Sequence, residues 1–197
     1  MGKCTSDKDL YENVEFCQGS ASLPGIRPHM YMVRRANIVL FPKVLGDAAE
    51  KLEDVAVIKD SFQLVEGKKF VKIDLVDGES EPTCNNQGNE GAKSFNNSVS
   101  FVVPGTQEKA TGLITKLNKD DVIFLYPQRD GKIRVIGNEM FRVQLDLGQN
   151  AGRQVTDSSQ TTITASVSDV NAAPFYQGTF ETEDGMIDGK TDSVVSD

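Results

Sequence analysis

The chain has 197 residues, of which 38% are hydrophobic and 25% are charged, and its formal net charge is −8. This is enough apolar material for one folded domain, and no apolar run approaches the roughly 20 residues that span a bilayer, so we expect no membrane anchor. The negative charge argues against a protein that coats nucleic acid, because phosphate binding depends on clustered Lys and Arg.

The first 30 residues are turn-rich, and we expect them to form an N-terminal arm. Residues Met1–Ser6 fit the template for N-myristoylation, and Cys4 offers a second acylation site, so a lipid-anchored adaptor is one alternative. From Tyr31 to Phe41 the chain is apolar and β-branched, which predicts a strand with a break near Arg34 and Arg35.

Two strands are predicted on either side of a long polar segment. Residues 70–76 alternate, with Val71, Ile73 and Leu75 on the buried face, and residues 95–103 alternate again. The residues between them, about 77–94, are rich in Gly, Asn and Glu. Connections longer than about 12–15 residues are uncommon in compact domains and are usually functional. The sequence therefore predicts a long protruding loop at 77–94.

A single helix is predicted at about 106–118. Thr106 is a suitable cap, and apolar residues follow at helical spacing, namely Ala110, Leu113, Ile114 and Leu117. Further strands are predicted at 121–126, 133–136, 139–147 and 161–168, with a last short strand near 175–180. This order predicts a mainly β protein, an antiparallel β-sandwich or barrel spanning 31–180 with one packed helix.

The last segment, 181–197, carries six acidic residues and one lysine. Such a stretch buries too little apolar surface to offset its ordering entropy, which predicts a flexible, solvated tail. The alternative is an arm that becomes ordered against a neighbouring subunit.

Residues that commonly support catalysis or metal binding are scarce. His29 is the only histidine, and the three cysteines (Cys4, Cys17 and Cys84) have no metal-binding spacing. The chain has no G-x-S-x-G nucleophile elbow and no Gly-rich phosphate loop. We therefore expect a protein that is not an enzyme and that uses no cofactor or metal.

The order of parts between Lys69 and Ser168 resembles the tail-tube proteins of tailed bacteriophages, in particular small ones from prophages of gut Bacteroides-type bacteria. The similarity lies in the strand at 97–103 that runs into the helix through Pro104, Gly105 and Thr106, and in the hairpin around Asp130–Lys132. The strands at 141–147 and 161–166 complete it. About half of the chain takes part.

This resemblance implies a structural virion subunit that forms stacked six-membered rings with a central β-barrel channel. Its partners would be further copies of itself and other phage tail or neck proteins, and double-stranded DNA would pass through the lumen without specific binding. The protein would occur in the virion and, during assembly, in the host cytoplasm. Neck, terminator and baseplate rings share this fold, so the position in the particle stays open.

The resemblance also implies which segments contact other subunits. The 77–94 segment would match the stacking loop, with candidate contact residues Asp77, Glu79, Glu81, Asn85, Asn86, Asn89 and Glu90. The segments 1–30 and 169–197 would be inter-subunit arms, and Arg27, Arg34 and Arg35 are candidate arm contacts. The alternative from another class is a monomeric β-scaffold that binds a ligand or protein through its loops.

Overall fold

The structure is a computed structural model that describes residues 9–15 and 23–195. One α-helix, α1, spans Glu108–Leu117, and short 3-10 turns occupy Arg35–Asn37, Gly46–Ala48 and Leu52–Asp54. The strands in these ranges are β1 (His29–Arg34), β2 (Ile38–Leu40), β3 (Val57–Ile58), β4 (Gln63–Leu64), β5 (Val71–Asp74), β6 (Glu81–Gln87), β7 (Ser94–Pro104), β8 (Val122–Pro127), β9 (Ile133–Ile136), β10 (Gln144–Asn150), β11 (Gln160–Asp169), β12 (Phe175–Tyr176), β13 (Thr179–Thr182), β14 (Gly185–Asp188) and β15 (Ser193–Val194).

Two large sheets form the body of the protein. One has six strands in the order β3-β12-β9-β8-β1-β5, and the other has four in the order β10-β11-β7-β6. Every pairing in them is antiparallel except the short parallel pair of β12 and β3. A three-stranded meander, β13-β14-β15, and a two-stranded ribbon of β2 and β4 complete the described strands.

The two large sheets pack face to face around one apolar core. All six residues of β8 are buried, as expected of a central strand. Strands β7 and β11 bury alternate residues, including Phe101 and Ile163. The rings of Phe101 on β7 and Phe124 on β8 meet at 5.5 Å between centroids. The predicted β-sandwich is confirmed, whereas its barrel alternative is wrong, because the strands of the described residues form open sheets that do not close.

The predicted helix is confirmed with slightly narrower bounds. Ala110 and Leu117 are buried, and Leu113 and Ile114 pack against the core, so the apolar stripe faces inward as predicted. Thr106 is not the cap. Gln107 holds that position without a capping side-chain bond, and the Thr106 hydroxyl instead lies 3.0 Å from the Ser159 hydroxyl.

The predicted long loop at 77–94 is wrong in its central part, where a strand interrupts it. Residues 81–87 form β6, which pairs with β7 from Glu81 opposite Ser100 to Gln87 opposite Ser94. Only the turn before β6 and the hairpin tip at 88–93 remain irregular. Most residues of β6 are exposed, so no apolar alternation marked the strand in the sequence.

The predicted solvated tail is also wrong for residues 181–195. They belong to the β13-β14-β15 meander, in which Phe180 lies opposite Ile187 and both side chains are buried. These apolar anchors, together with contacts described below, offset the ordering cost that composition alone suggested. Ser196 and Asp197 lie outside the described residues.

The N-terminal arm is partly integrated into the body. Ile26 is buried and forms a bridge with Gln128, and His29 and Met30 already belong to β1. The predicted break near Arg34 and Arg35 is confirmed by the 3-10 turn at 35–37. Cys4, Cys17 and the Met1–Ser6 acylation template lie outside the described residues.

One predicted strand has a different buried face at its start. Phe70 is buried and Val71 is exposed, the reverse of the prediction. Phe70 contacts Phe180 of the meander edge-on, with 4.9 Å between ring centroids, so the meander covers the side on which Phe70 lies. Ile73 and Leu75 are buried as predicted.

Replacement by alanine is expected to change the free energy of unfolding in opposite directions at two glycines. Gly112 lies in α1 with nothing within 4 Å of an added Cβ, so Gly112→Ala is expected to raise the free energy of unfolding by about 1 kcal/mol. A Cβ on Gly189 would lie 2.6 Å from the Gly178 carbonyl oxygen, so Gly189→Ala is expected to lower it by about 1–3 kcal/mol. Urea unfolding followed by circular dichroism measures both, and equal shifts would contradict the close approach at Gly189.

Candidate functional site

The outward face of the four-stranded sheet is a continuous polar surface. Cross-strand partners project from the same face of a sheet, so the pairing fixes its rows. One row runs across the strands as Thr83, Ser98, Ser166 and Gln144. The next row runs as Glu81, Ser100, Thr164 and Asp146. These side chains are exposed or half-buried, so no other described layer covers them.

The charged side chains of this surface are all acidic. The second row has carboxylates at its two ends, Glu81 and Asp146. Both rows have hydroxyls in the middle, and the Thr164 hydroxyl donates to the Ser100 hydroxyl at 3.2 Å. None of the four strands contains a Lys or Arg, although the chain has 21 of them. The face therefore offers hydrogen-bonding groups without any positive charge.

The surface ends at two free strand edges. Within the described residues, β10 pairs only with β11, and β6 pairs only with β7. Each strand is seven residues long. An exposed edge is a template for pairing with another chain unless Lys, Pro or a bulge protects it. Strand β10 has neither Lys nor Pro, and β6 has only Pro82 near its start.

The seven predicted contact residues of the 77–94 segment do not form one site. Glu81 and Asn85 lie on the outward face of β6, whereas Asn86 projects from the opposite face. Asn89 and Glu90 lie at the hairpin tip, and Glu79 precedes the strand. Asp77 is set apart from them, because its carboxylate accepts a hydrogen bond from Arg129 at 2.7 Å.

The predicted arm contacts all have acceptors within their own chain. Arg34 donates to the carboxylate of Asp120 at 2.8 Å. Arg35 donates to the Asn138 carbonyl oxygen at 3.1 Å. Arg27 donates to the carboxylate of Asp192 at 2.8 Å. Each guanidinium therefore joins separate segments of one subunit, and β1 with its flanks is the common element.

The contact between Arg27 and Asp192 is part of a buried polar cluster. The Asp192 side chain has no exposed surface. One of its carboxylate oxygens accepts from Arg27 and lies 2.9 Å from His29 Nε2, and the other accepts from the Tyr31 hydroxyl at 2.8 Å. An ionised carboxylate can only accept, so the His29 nitrogen is the donor. The cluster ties the meander to β1.

Two ionisation equilibria are shifted in the cluster. Burial alone raises the pKa of the Asp192 carboxyl, but hydrogen bonds from His29, Tyr31 and Arg27 outweigh it and leave the pKa below its ordinary value. Burial raises the pKa of Tyr31, and the hydrogen bond to Asp192 raises it further. The carboxylate therefore stays charged and the phenol neutral, which suits a structural tie.

The Asp192 cluster was missed at the sequence level because the residue lies in the segment expected to be solvated. Its backbone is in the left-handed region, with φ of 54°, a conformation that Asp adopts more readily than most residues. Asp-Gly pairs at 184–185 and 188–189 are turn signals between short apolar pairs, and they mark this meander in the sequence.

Comparison with protein-family models, curated proteins and solved structures found no match. Within 9–15 and 23–195, no group of three or more His, Cys, Asp or Glu residues is placed to hold a metal ion. In those same ranges no helix has the length and apolar character needed to cross a membrane.

Removing the charge of Asp192 is expected to destabilise the fold. Hydrogen bonds to a charged group are worth about 1.5–3 kcal/mol, so Asp192→Asn should lower the free energy of unfolding by about that amount at neutral pH. The matched control is Asp184→Asn in the same meander, whose exposed carboxylate lies 3.6 Å from Lys72; it should cost less than about 0.5 kcal/mol. Equal losses in urea unfolding would contradict the buried tie.

The stability difference between the native chain and Asp192→Asn is also expected to depend on pH. A carboxyl whose pKa is lowered in the folded state stabilises it above the unfolded pKa, here near 3.8, and loses that contribution as pH falls further. The stability difference between the native chain and Asp192→Asn should therefore be constant near neutral pH and shrink below about 3.8. A stability difference that persists unchanged into strong acid would contradict a stabilising role of the charged Asp192 carboxylate.

Proposed function

We propose that the protein is a structural subunit of a phage tail tube or neck ring. In this proposal copies close into a ring, and rings stack around a lumen through which double-stranded DNA passes without specific binding. The observation that carries this proposal is the polar outward face of the four-stranded sheet, free of Lys and Arg and bounded by two unpaired edges. The order of elements between Lys69 and Ser168, which resembles that of tail-tube proteins, agrees with it.

The two edges are suited to pair with each other between copies. Successive strands in the order β10-β11-β7-β6 are antiparallel, so β10 and β6 run in opposite directions. Rotating one copy about an axis roughly along the strands places its β6 beside the β10 of the next copy in an antiparallel pair. Such a head-to-tail interface gives a ring when the rotation closes. Closure also pairs the exposed edges, which removes a risk of aggregation.

Ring closure would place the polar face toward the lumen. The opposite face of the four-stranded sheet is buried against the six-stranded sheet, with Val99, Phe101 and Ile163 in the core. The six-stranded sheet would therefore lie outside, and the rows containing Ser98 and Ser100 would line the channel. DNA binding depends on cations that neutralise phosphates, so a lining without Lys or Arg favours passage over retention.

Assembly is tested by light scattering and negative-stain images of the purified chain. The native protein should form rings or stacked rings. Gln144→Lys with Gly148→Lys adds cations to the outward face of β10, where a Cβ on Gly148 meets nothing within 4 Å, and Lys on an edge strand opposes pairing. This variant should remain monomeric with native circular dichroism.

The matched control places the same charges in the adjacent loop, as Val155→Lys with Ser158→Lys, both at exposed positions. It should assemble like the native chain. A native chain that is monomeric at every concentration would contradict the proposal and favour the monomeric binding module. Assembly of the β10 variant at the native level would contradict the role of that edge.

A further inference from the structure

An apolar groove lies on the side of the molecule that carries α1. It has a volume of about 670 Å³ and lies between α1, β1, β5 and the end of β7. Apolar side chains form its floor, namely Met32, Val71, Ile73, Val103, Ala110 and Leu113. Val71 keeps 52% of its surface exposed there. Strand β5 is an edge of the six-stranded sheet, so one side of its backbone is also unpaired within the described residues.

The rim of this groove is cationic on a protein whose net charge is −8. It carries four cations, Arg34, Lys72, Lys109 and Lys116, and two acids, Asp74 and Asp120. Asp120 is paired with Arg34 at 2.8 Å, and Lys72 lies 3.6 Å from Asp184. Lys109 and Lys116 on α1 take part in none of the ion pairs formed within the described residues. The groove therefore suits a segment that is both apolar and acidic.

The chain contains such a segment at 9–15. It carries Asp9, Glu12 and Glu15 and no cation, and its apolar residues are Leu10, Tyr11 and Val14. Tyr11 is 93% exposed and Val14 is 87% exposed, so neither side chain packs on its own subunit. Burying large apolar side chains of this kind is favourable.

We propose that residues 9–15 of one copy dock in the α1–β5 groove of a second copy. Tyr11 and Val14 contact the floor near Val71 and Leu113, and Glu12 and Glu15 face Lys109 and Lys116. The inference rests on the proposed function in so far as it requires neighbouring copies, and it assigns one contact between them.

Disulfide trapping between two single-cysteine proteins tests this docking. In a background with Cys4, Cys17 and Cys84 changed to Ser, a Val14→Cys chain is mixed with a Val71→Cys chain under mild oxidation. A disulfide-linked heterodimer is expected. The matched control replaces Val71→Cys by Val170→Cys, at an exposed position after β11, and should give only a background band.

Charge reversal then tests the complementarity. Lys109→Glu with Lys116→Glu in the Val71→Cys chain should reduce the heterodimer to the level of the control. Glu12→Lys with Glu15→Lys in the Val14→Cys chain should restore it. Restoration would support the assigned pairing, because a misfolded groove would not be rescued by the partner's charges. Failure to restore the heterodimer, with native circular dichroism of the Lys109→Glu and Lys116→Glu chain, would overturn it.

Light scattering of the same samples under reducing conditions separates this inference from the proposed function. Rings without a heterodimer above background would overturn the docking and leave ring assembly intact. A heterodimer without rings would support the docking and count against the ring. A chain that carries both Val14→Cys and Val71→Cys gives a further test. If on dilution it forms only an intramolecular disulfide, the assignment to a second copy is overturned.

Discussion

The four-stranded sheet is the constraint on which the proposed assembly depends. Its inner face is buried against the other large sheet, and its outer face is covered by nothing in the described residues. The backbone N–H and C=O groups on the outer edges of β6 and β10 have no partner strand within the described residues, and each of those strands is seven residues long. Association through these edges satisfies the backbone without burying the hydroxyl-rich face, and that combination favours a ring around a polar channel.

The rest of the fold holds that sheet in place. Strand β1 lies in the middle of this support: it pairs with β5 and β8, and through Tyr31 and its neighbours it binds the Asp192 carboxylate. The meander that contains Asp192 also packs Phe180 against Phe70 and Tyr31. The C-terminal segment as far as Val195 is therefore part of the core of one subunit, and the proposed docking uses the exposed segment at 9–15 instead.

Apolar periodicity in the sequence was sufficient for the centre of the fold. It located α1, β8, β9 and β11, because each buries an unambiguous stripe or alternate face. It failed for β6 and for the meander, because β6 is mostly exposed and the meander strands are only two to four residues long, so neither shows a clear apolar alternation. Of the candidate site, the sequence predicted only the polar character. Glu81 and Asn85 lie on the outward face because of the register in which β6 pairs with β7. Local composition carries no information on that register.

Hydrogen–deuterium exchange measured over a range of protein concentrations tests edge pairing most directly. Pairing of β10 with β6 between copies predicts that amides in 144–150 and 81–87 become protected as the mass of the particle grows, while those of the buried strand at 122–127 stay protected throughout. Growth in mass with no added protection at either edge would contradict pairing through the four-stranded sheet.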